Sequence, residues 1–248
     1  KNNSELSKDE IDLWIESELA KTATKFSSHI ETYRFDLATQ EIYEFVWEKF
    51  CDWYLELCKI RLQDPSVPLS QKDSIKASLI KLLTNILIIC HPIMPFITEE
   101  IWQNLQMFHK SNLKSISLEK FPVFDKNNKS FQNIETLQKA IIGIRNVRAE
   151  MLISPKVKFT LFLDKNSSLK DLIEKNYIFF EVLSGINKIN FFEKSPPPSA
   201  IVLVKDQKLY IPLEGLIEPK DEIVRNTKNL AKFNKIYLSL DLQLKNKN

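Results

Sequence analysis

Glycine is almost missing from this sequence, with three residues in 248. Phosphate-cradling loops, tight hairpins and β-sandwiches use glycine for backbone angles that other residues avoid. A glycine-rich nucleotide loop and an all-β fold are therefore disfavoured. Cysteine is equally scarce: Cys51, Cys58 and Cys90 form no CxxC pair. An odd, sparse set fits a reducing compartment. Cys51 and Cys58 can share a helix face, and we read them as small buried hydrophobes rather than metal ligands. No apolar run reaches membrane-spanning length, because "LLTNILIIC" (82–90) is short and is followed by Pro92. "KNNSELSKDE" at the start is not a signal peptide. It has no initiator Met, so we expect the chain to be cut from a longer polypeptide. The three histidines lie far apart in sequence. No nucleophile–His pairing, paired-carboxylate pattern or metal-site spacing marks an independent catalyst.

What is present is ordinary for a globular chain: 44% hydrophobic and 27% charged residues. The length allows one large domain or two small ones. The net charge of +3 hides an asymmetry. Residues 1–60 carry seven Lys/Arg and thirteen Asp/Glu, a net of −6, and the remainder carries 28 against 19, a net of +9. A basic remainder suits a polyanion such as RNA.

Up to about Leu152 the sequence reads as successive helices. Ser7 and Glu10 make a capping box for a helix running to about Thr32. Its apolar stripe is Ile11, Trp14, Ile15, Leu19, Ala23 and Phe26. Asp36 is the expected cap of the next helix, "LATQEIYEFVWEKFCDWYLELCKIRL". Here Ile42, Val46, Phe50, Trp53 and Leu57 form the predicted buried stripe, broadened by Phe45, Trp47 and Tyr54. Glu41, Glu44, Glu48, Asp52 and Glu56 form a solvated face. After the loop Asp64–Ser70, a helix ends near His91 because Pro92 disfavours continuation. Thr98 is the expected cap of a short helix, with Glu99 and Glu100 at its positive end. A further helix spans roughly Ser130 to Met151, with Phe131, Ile134, Leu137, Ile141, Ile144, Val147 and Met151 as its stripe.

Beyond Pro155 the period changes. "VKFTLFL" (157–163), "INKINFF", "AIVLV" and "QKLYIPL" (207–213) are strand candidates, and Ser168–Leu183 reads as helix. From Pro219 a seam recurs every seven residues: Ile223, Leu230, Tyr237 and Leu244, with Asn226, Phe233 and Leu240 between them. One helix cannot bury its own seam.

The middle of the chain holds "HPIMPFITEEIWQNL" (91–105). As structure it is a rigid corner: Pro92 ends one helix, Pro95 stiffens the turn, and Ile93, Met94 and Phe96 plug into the core. His91 reads as a helix-end residue. The segment also strongly resembles the corner motif of the helical anticodon-binding domain in class I aminoacyl-tRNA synthetases of the valine, isoleucine and leucine group. "RFDLATQEIYEFVWEKFCDWYLELCK" (34–59), "IRNVRAEMLISP" (144–155) and "LYIPLEGLIEPKDEI" (209–223) resemble the valyl branch in particular. The resemblance covers nearly the whole chain in order. It implies a mainly α fold: a helical-bundle anticodon-binding domain (1–153), a small α/β subdomain (154–217) and the start of a coiled-coil arm on a C-terminal heptad helix (218–248). The family's HIGH and KMSKS signatures do not occur here. The resemblance thus implies the C-terminal part of a ligase, inactive alone, with ATP and Mg2+ belonging to an upstream catalytic domain.

Unpaired RNA bases are read by stacking on aromatic or Arg planes and by hydrogen bonds to their edges, and phosphates are held by Lys and Arg. "YRFD" (33–36) lies at a helix joint and matches the family's Arg-Phe pair. Arg34 can bond a base edge and Phe35 can stack. Otherwise Phe35 packs in the core and Arg34 pairs with Glu31. Arg145 and Arg148 share a helix side. They can clamp an anticodon stem or pair with carboxylates of the acidic second helix. Lys25 is a further candidate on the first helix. Arg225, Lys228, Lys232 and Lys235 make a basic surface on the last helix, which serves either a tRNA body or solubility. The implied partners are tRNA that accepts valine and the upstream domain, for a cytoplasmic monomer with no membrane contact. The competing readings are a protein-interaction module that dimerises through residues 223–244, or the same domain of an isoleucyl or leucyl relative.

Overall fold

The computed structural model describes residues 9–108, 113–124, 130–193, 195–216 and 219–245. The side chains of residues 219–222, 225, 226 and 242–245 are outside that description. The chain is mainly α-helical, with one four-stranded sheet. It divides into two compact units, Lys1–Ile134 and Glu135–Asn248. The division falls inside a helix, α6 (Gln132–Glu150), while the resemblance implies a domain boundary at residue 153. The reason is local: from Glu135 onward α6 is built into the sheet unit, as described below.

In the first unit α1 (Glu10–Glu31) buries the whole expected stripe, from Ile11 to Phe26. Its N-cap is Asp9, whose carboxylate accepts from Ile11 N at 2.9 Å and Asp12 N at 3.2 Å. Ser7, the expected cap, lies outside the described residues. The next run is one continuous helical rod with three parts: α2 (Phe35–Glu44), a π-helical segment (Phe45–Leu55) and α3 (Glu56–Gln63). Then come α4 (Leu69–Cys90) and α5 (Pro95–Leu105). α1 packs on α2, on the π segment and on α4, and α4 packs on α5.

The π segment corrects the expected stripe. Its backbone bonds reach five residues back instead of four, so a wider turn brings residues five apart onto one face. Phe45, Phe50 and Tyr54 are buried, while Val46 and Trp53 are only half-buried. Trp47 is 53% exposed.

The corner at 91–98 also departs from expectation. α4 ends at Cys90, and Pro95 occupies the first turn of α5, where its missing N–H costs nothing. Thr98 is therefore inside the helix and not its cap. Its hydroxyl donates to Met94 O at 2.7 Å, and its oxygen lies 2.8 Å from His91 Nδ1. The one hydroxyl hydrogen goes to the carbonyl, so the imidazole N–H is the donor to Thr98, and His91 ties the two helices together. Glu99 accepts from Ser115 Oγ at 2.8 Å and Ile116 N at 3.1 Å. The plug is Trp102, buried with Leu87 and Ile116. Phe96 is 90% exposed and Met94 45%, so neither fills the core.

One polar cluster lies inside this unit. Asp12 and Arg61 are 3% and 7% exposed. Arg61 donates to both Asp12 oxygens at 3.3 and 3.4 Å and pairs with Asp9, and Tyr54 Oη donates to Asp12 at 2.8 Å. Burial alone would depress the Arg61 guanidinium, but the carboxylates outweigh it and hold it above its ordinary value. Burial pushes the neighbouring Cys58 thiol up to about 12, so it stays a neutral apolar group.

In the second unit α6 buries Leu137, Ile141, Ile144 and Val147. β1 (Phe159–Asp164), β2 (Ile186–Phe192), β3 (Ser199–Val204) and β4 (Gln207–Pro212) form a sheet in the order β2-β1-β4-β3. β1 and β2 are parallel; the other neighbours are antiparallel. The single helix expected at 168–183 is two, α7 (Lys170–Lys175) and α8 (Tyr177–Ser184), broken at Asn176. Gly143 of α6 sits directly on Val202, so a Cβ there would collide with that side chain. Arg148 Nη1 donates to Ser184 O at 3.0 Å and Nη2 to Ser154 O at 2.5 Å, with the guanidinium 5.3 Å from the Phe159 ring centroid. Gly185, at φ 75°, leaves room for that guanidinium. α9 (Pro219–Lys245) follows as a single helix with Leu230, Phe233, Tyr237 and Leu240 exposed. No helix among the described residues is long and apolar enough to cross a membrane.

The buried cluster generates a test. Arg61→Leu leaves Asp12 in the core without its cation and is expected to lower the unfolding free energy by about 3 kcal/mol in urea denaturation. Adding Asp12→Leu should recover much of that loss, since the uncompensated charge is then gone.

Candidate nucleic-acid interface

The turn between α1 and α2 is only Thr32–Arg34, and it is built as a Schellman end. Arg34 N donates to His29 O at 2.8 Å and Tyr33 N to Ile30 O at 3.0 Å. The residue in the left-handed position of such an end is usually glycine; here it is Tyr33, at φ 59°. A bulky residue in that region costs of order 1 kcal/mol. The Tyr33 side chain stands in solvent, 81% exposed.

Phe35 beside it is 54% exposed, with its ring centroid 6.3 Å from that of Tyr33 in an edge-on arrangement. Phe35 therefore does not pack in the core. Arg34 does not pair with Glu31: its Nε and Nη2 donate to Asp36 Oδ1 and Oδ2 at 3.0 and 2.8 Å. That bidentate bond also explains why Asp36 does not cap α2, whose N-cap position is Arg34 without a side-chain cap. Asp36 holds the Arg34 guanidinium in place through its Nε/Nη2 edge, which is thereby occupied. The hydrogen bond from Arg34 holds the Asp36 carboxyl down at about 2.

The remaining candidates separate. Lys25 is exposed, and its Nζ donates to both Glu41 oxygens at 3.1 and 3.2 Å. Arg148 is withdrawn from the candidate surface, because it is buried and its guanidinium is spent on two backbone carbonyls and a ring. Arg145 is exposed and donates Nε to Leu183 O at 2.7 Å. Lys228, Lys232 and Lys235 are exposed on α9. The Arg225 side chain lies outside the described residues. Tyr33 is the residue the sequence reading leaves out. The signal for it is the absence of glycine between two helices joined by so short a turn. Further along the rod, Tyr43 of α2 and Trp47 of the π segment are 62% and 53% exposed, with ring centroids 6.2 Å apart.

Among the described residues no group of three His, Cys, Asp or Glu side chains is placed to hold a metal. What the corner can do is stack and hydrogen-bond flat, unpaired bases. Anticodon-binding domains of tRNA ligases match residues 12–163 of this sequence, and the chain belongs to that family. The valine–tRNA ligases of Legionella pneumophila strains Lens, Paris and Philadelphia 1 are each 41% identical to it over 226 residues. These matches cover 88% of this chain and 24% of each relative, so the chain spans about a quarter of the length of the curated relatives it matches.

The Arg34–Asp36 pair has a pH signature. An aspartate whose pKa is depressed in the fold contributes above its unfolded value, near 3.9, and loses that contribution as pH falls through the folded one. Carboxyl NMR titration should place Asp36 at about 2. In Arg34→Ala the midpoint should return to the ordinary value of about 3.9.

Proposed function

We propose that this chain is the tRNA-holding part of a valine–tRNA ligase. It grips the anticodon loop, while an upstream catalytic domain activates valine with ATP and Mg2+ and transfers it to the tRNA. The observation that carries this reading is the strained corner holding Tyr33, Arg34 and Phe35 out in solvent. Two rings and a fixed guanidinium in three consecutive residues suit an anticodon loop, whose bases are unpaired. Membership in the anticodon-binding family and the likeness to valine–tRNA ligases support the same reading. The contribution of this part is binding energy and placement, spent at a distance from bond making. α9 adds an exposed basic face, with Lys228, Lys232 and Lys235 on one side, suited to the phosphates of the tRNA body.

Binding is measured with tRNA transcripts for valine and isoleucine and with a valine transcript carrying a swapped anticodon, each at two salt concentrations. The reading requires a preference for the valine anticodon that is lost on swapping. Equal binding to all three, with a steep salt dependence, contradicts anticodon reading. Tyr33→Gly separates function from folding. It relieves the left-handed strain, so stability should hold or rise by up to about 1 kcal/mol. Removing one stacking ring should weaken the valine transcript by about ten-fold.

A further inference from the structure

Within the second unit, the described helix contacts fall on one side of the sheet. Phe159, Leu161, Leu163, Ile186, Val202, Val204, Leu209 and Ile211 alternate along the strands and are buried. Three contacts place helices on that side: Gly143 of α6 against Val202, Arg148 of α6 over Phe159, and Lys170 of α7 with its Nζ 5.1 Å from the Phe191 ring centroid. Successive side chains on a strand point to opposite faces, so the intervening residues share the other face.

That face has a definite composition. One row across the sheet is Asn190, Phe162, Tyr210 and Ile201, which are partners in the strand register. Phe192 joins it edge-on, with its ring centroid 5.2 Å from that of Tyr210. The three rings are half-buried, while Ile201 and Leu203 at the edge are 50% and 69% exposed. Lys188, the register partner of Thr160, and Lys208, the partner of Leu203, stand exposed on the same face, and among the described residues neither forms an ion pair. The carboxylate on the face is Asp164, which accepts from Asn166 N at 2.7 Å. Residues 135–248 carry nineteen Lys/Arg against thirteen Asp/Glu, a net of +6.

We propose that this face binds unpaired nucleotides of RNA, with Phe162, Tyr210 and Phe192 as the stacking platform and Lys188 and Lys208 as phosphate contacts. Neighbouring strands hold their side chains about 4.8 Å apart, a separation that one step of an extended nucleotide chain spans. Four-stranded sheets with helices behind and aromatic rings in front stack bases in this manner, and every base offers a π face. An apolar protein partner would find rings and aliphatic edges here but no use for two unpaired lysines. The inference goes beyond the anticodon reading, because it names a second RNA-contacting surface in a different unit.

The test uses the full chain. It is cross-linked to the valine tRNA transcript and to a ten-nucleotide oligouridylate, both carrying 4-thiouridine, and the modified peptides are mapped. The expected result is cross-links on β1, β2 and β4, with Phe162→Ser or Tyr210→Ser weakening the oligomer about ten-fold. Lys188→Glu with Lys208→Glu leaves the core untouched, and should lower the salt slope of binding by about two. Cross-links confined to the Tyr33–Phe35 corner, with the lysine variants binding as the parent does, overturn the proposal and leave the anticodon reading standing. Cross-links on the sheet with silent corner variants do the reverse. No cross-link anywhere overturns both. A concentration-dependent increase in mass that Leu203→Glu abolishes would show that a second copy covers the face, and would also overturn the proposal.

Discussion

The carboxylate of Asp12, enclosed between Tyr54 and Arg61, is the constraint on which the first unit depends. An ionised group under a tenth exposed is tolerated only when its oxygens are fully engaged, because its desolvation is costly and its partners must offset it at close range. Three donors meet it: Tyr54 Oη and two nitrogens of Arg61. A slip of α1 by one turn along the neighbouring rod would leave the charge buried and unpaired. The apolar stripe of α1 supplies most of the burial, but that term is non-directional and tolerates neighbouring registers. The polar cluster selects among them. With the rods fixed, a turn of only three residues must join them, and Tyr33 is forced into its left-handed conformation at that turn. The presentation of Tyr33, Arg34 and Phe35 therefore follows from a hydrogen-bond network elsewhere in the same unit.

The stripe of α1, and that of α6 from Ile134 to Val147, are legible in the sequence because both are regular α-helices with a 3.6-residue period, whereas Met151 lies past α6 and is only half-buried. The rod after the corner is not. A segment that bonds to the fifth residue back shifts each later position around the axis. A fixed period then centres the stripe on Val46 and Trp53, which are only half-buried, and puts Phe45 and Tyr54, which are fully buried, at its edge. Caps fail for a different reason. Asp36 and Thr98 have good capping chemistry, but Arg34 takes the first and the Met94 carbonyl the second. Each contest is decided by geometry within a turn, which composition does not encode. The Asp12–Arg61 pair is also invisible in sequence, since its members are separated by forty-nine positions and each looks like an ordinary surface charge on its own helix.

Arg148 shows how one residue type serves opposite ends. In the sequence it reads beside Arg145 as half of a cationic clamp. In the structure it closes the second unit from within, satisfying the last carbonyl of α8 and that of Ser154 with one guanidinium. Those carbonyls would otherwise be costly to bury. Gly185 is required there twice over, for its positive φ and for the space its missing Cβ leaves to that guanidinium. An arginine so committed is desolvated, and burial lowers its pKa from the usual value. The lysines at 188, 208, 228, 232 and 235, by contrast, stand exposed to solvent.

Strain and exposure coincide in this chain in a way that bears on recognition. Tyr33 and Leu152 both occupy the left-handed position of a Schellman end, at φ 59° and 53°, and both are largely exposed. Glycine would serve either site at lower conformational cost, yet the sequence spends none of its three glycines there. At Tyr33 the consequence is specific: the ring lies beside Phe35 and next to an arginine already held in place by Asp36. Hydrophobic burial would draw such rings inward, and a mobile loop would lose binding energy to ordering. A strained but fully hydrogen-bonded turn avoids both. It holds aromatic surface in water through a turn whose amides at Tyr33 and Arg34 are both hydrogen-bonded. Stacking of unpaired bases needs that condition: rings already exposed, already oriented, and supported by elements too rigid to withdraw them.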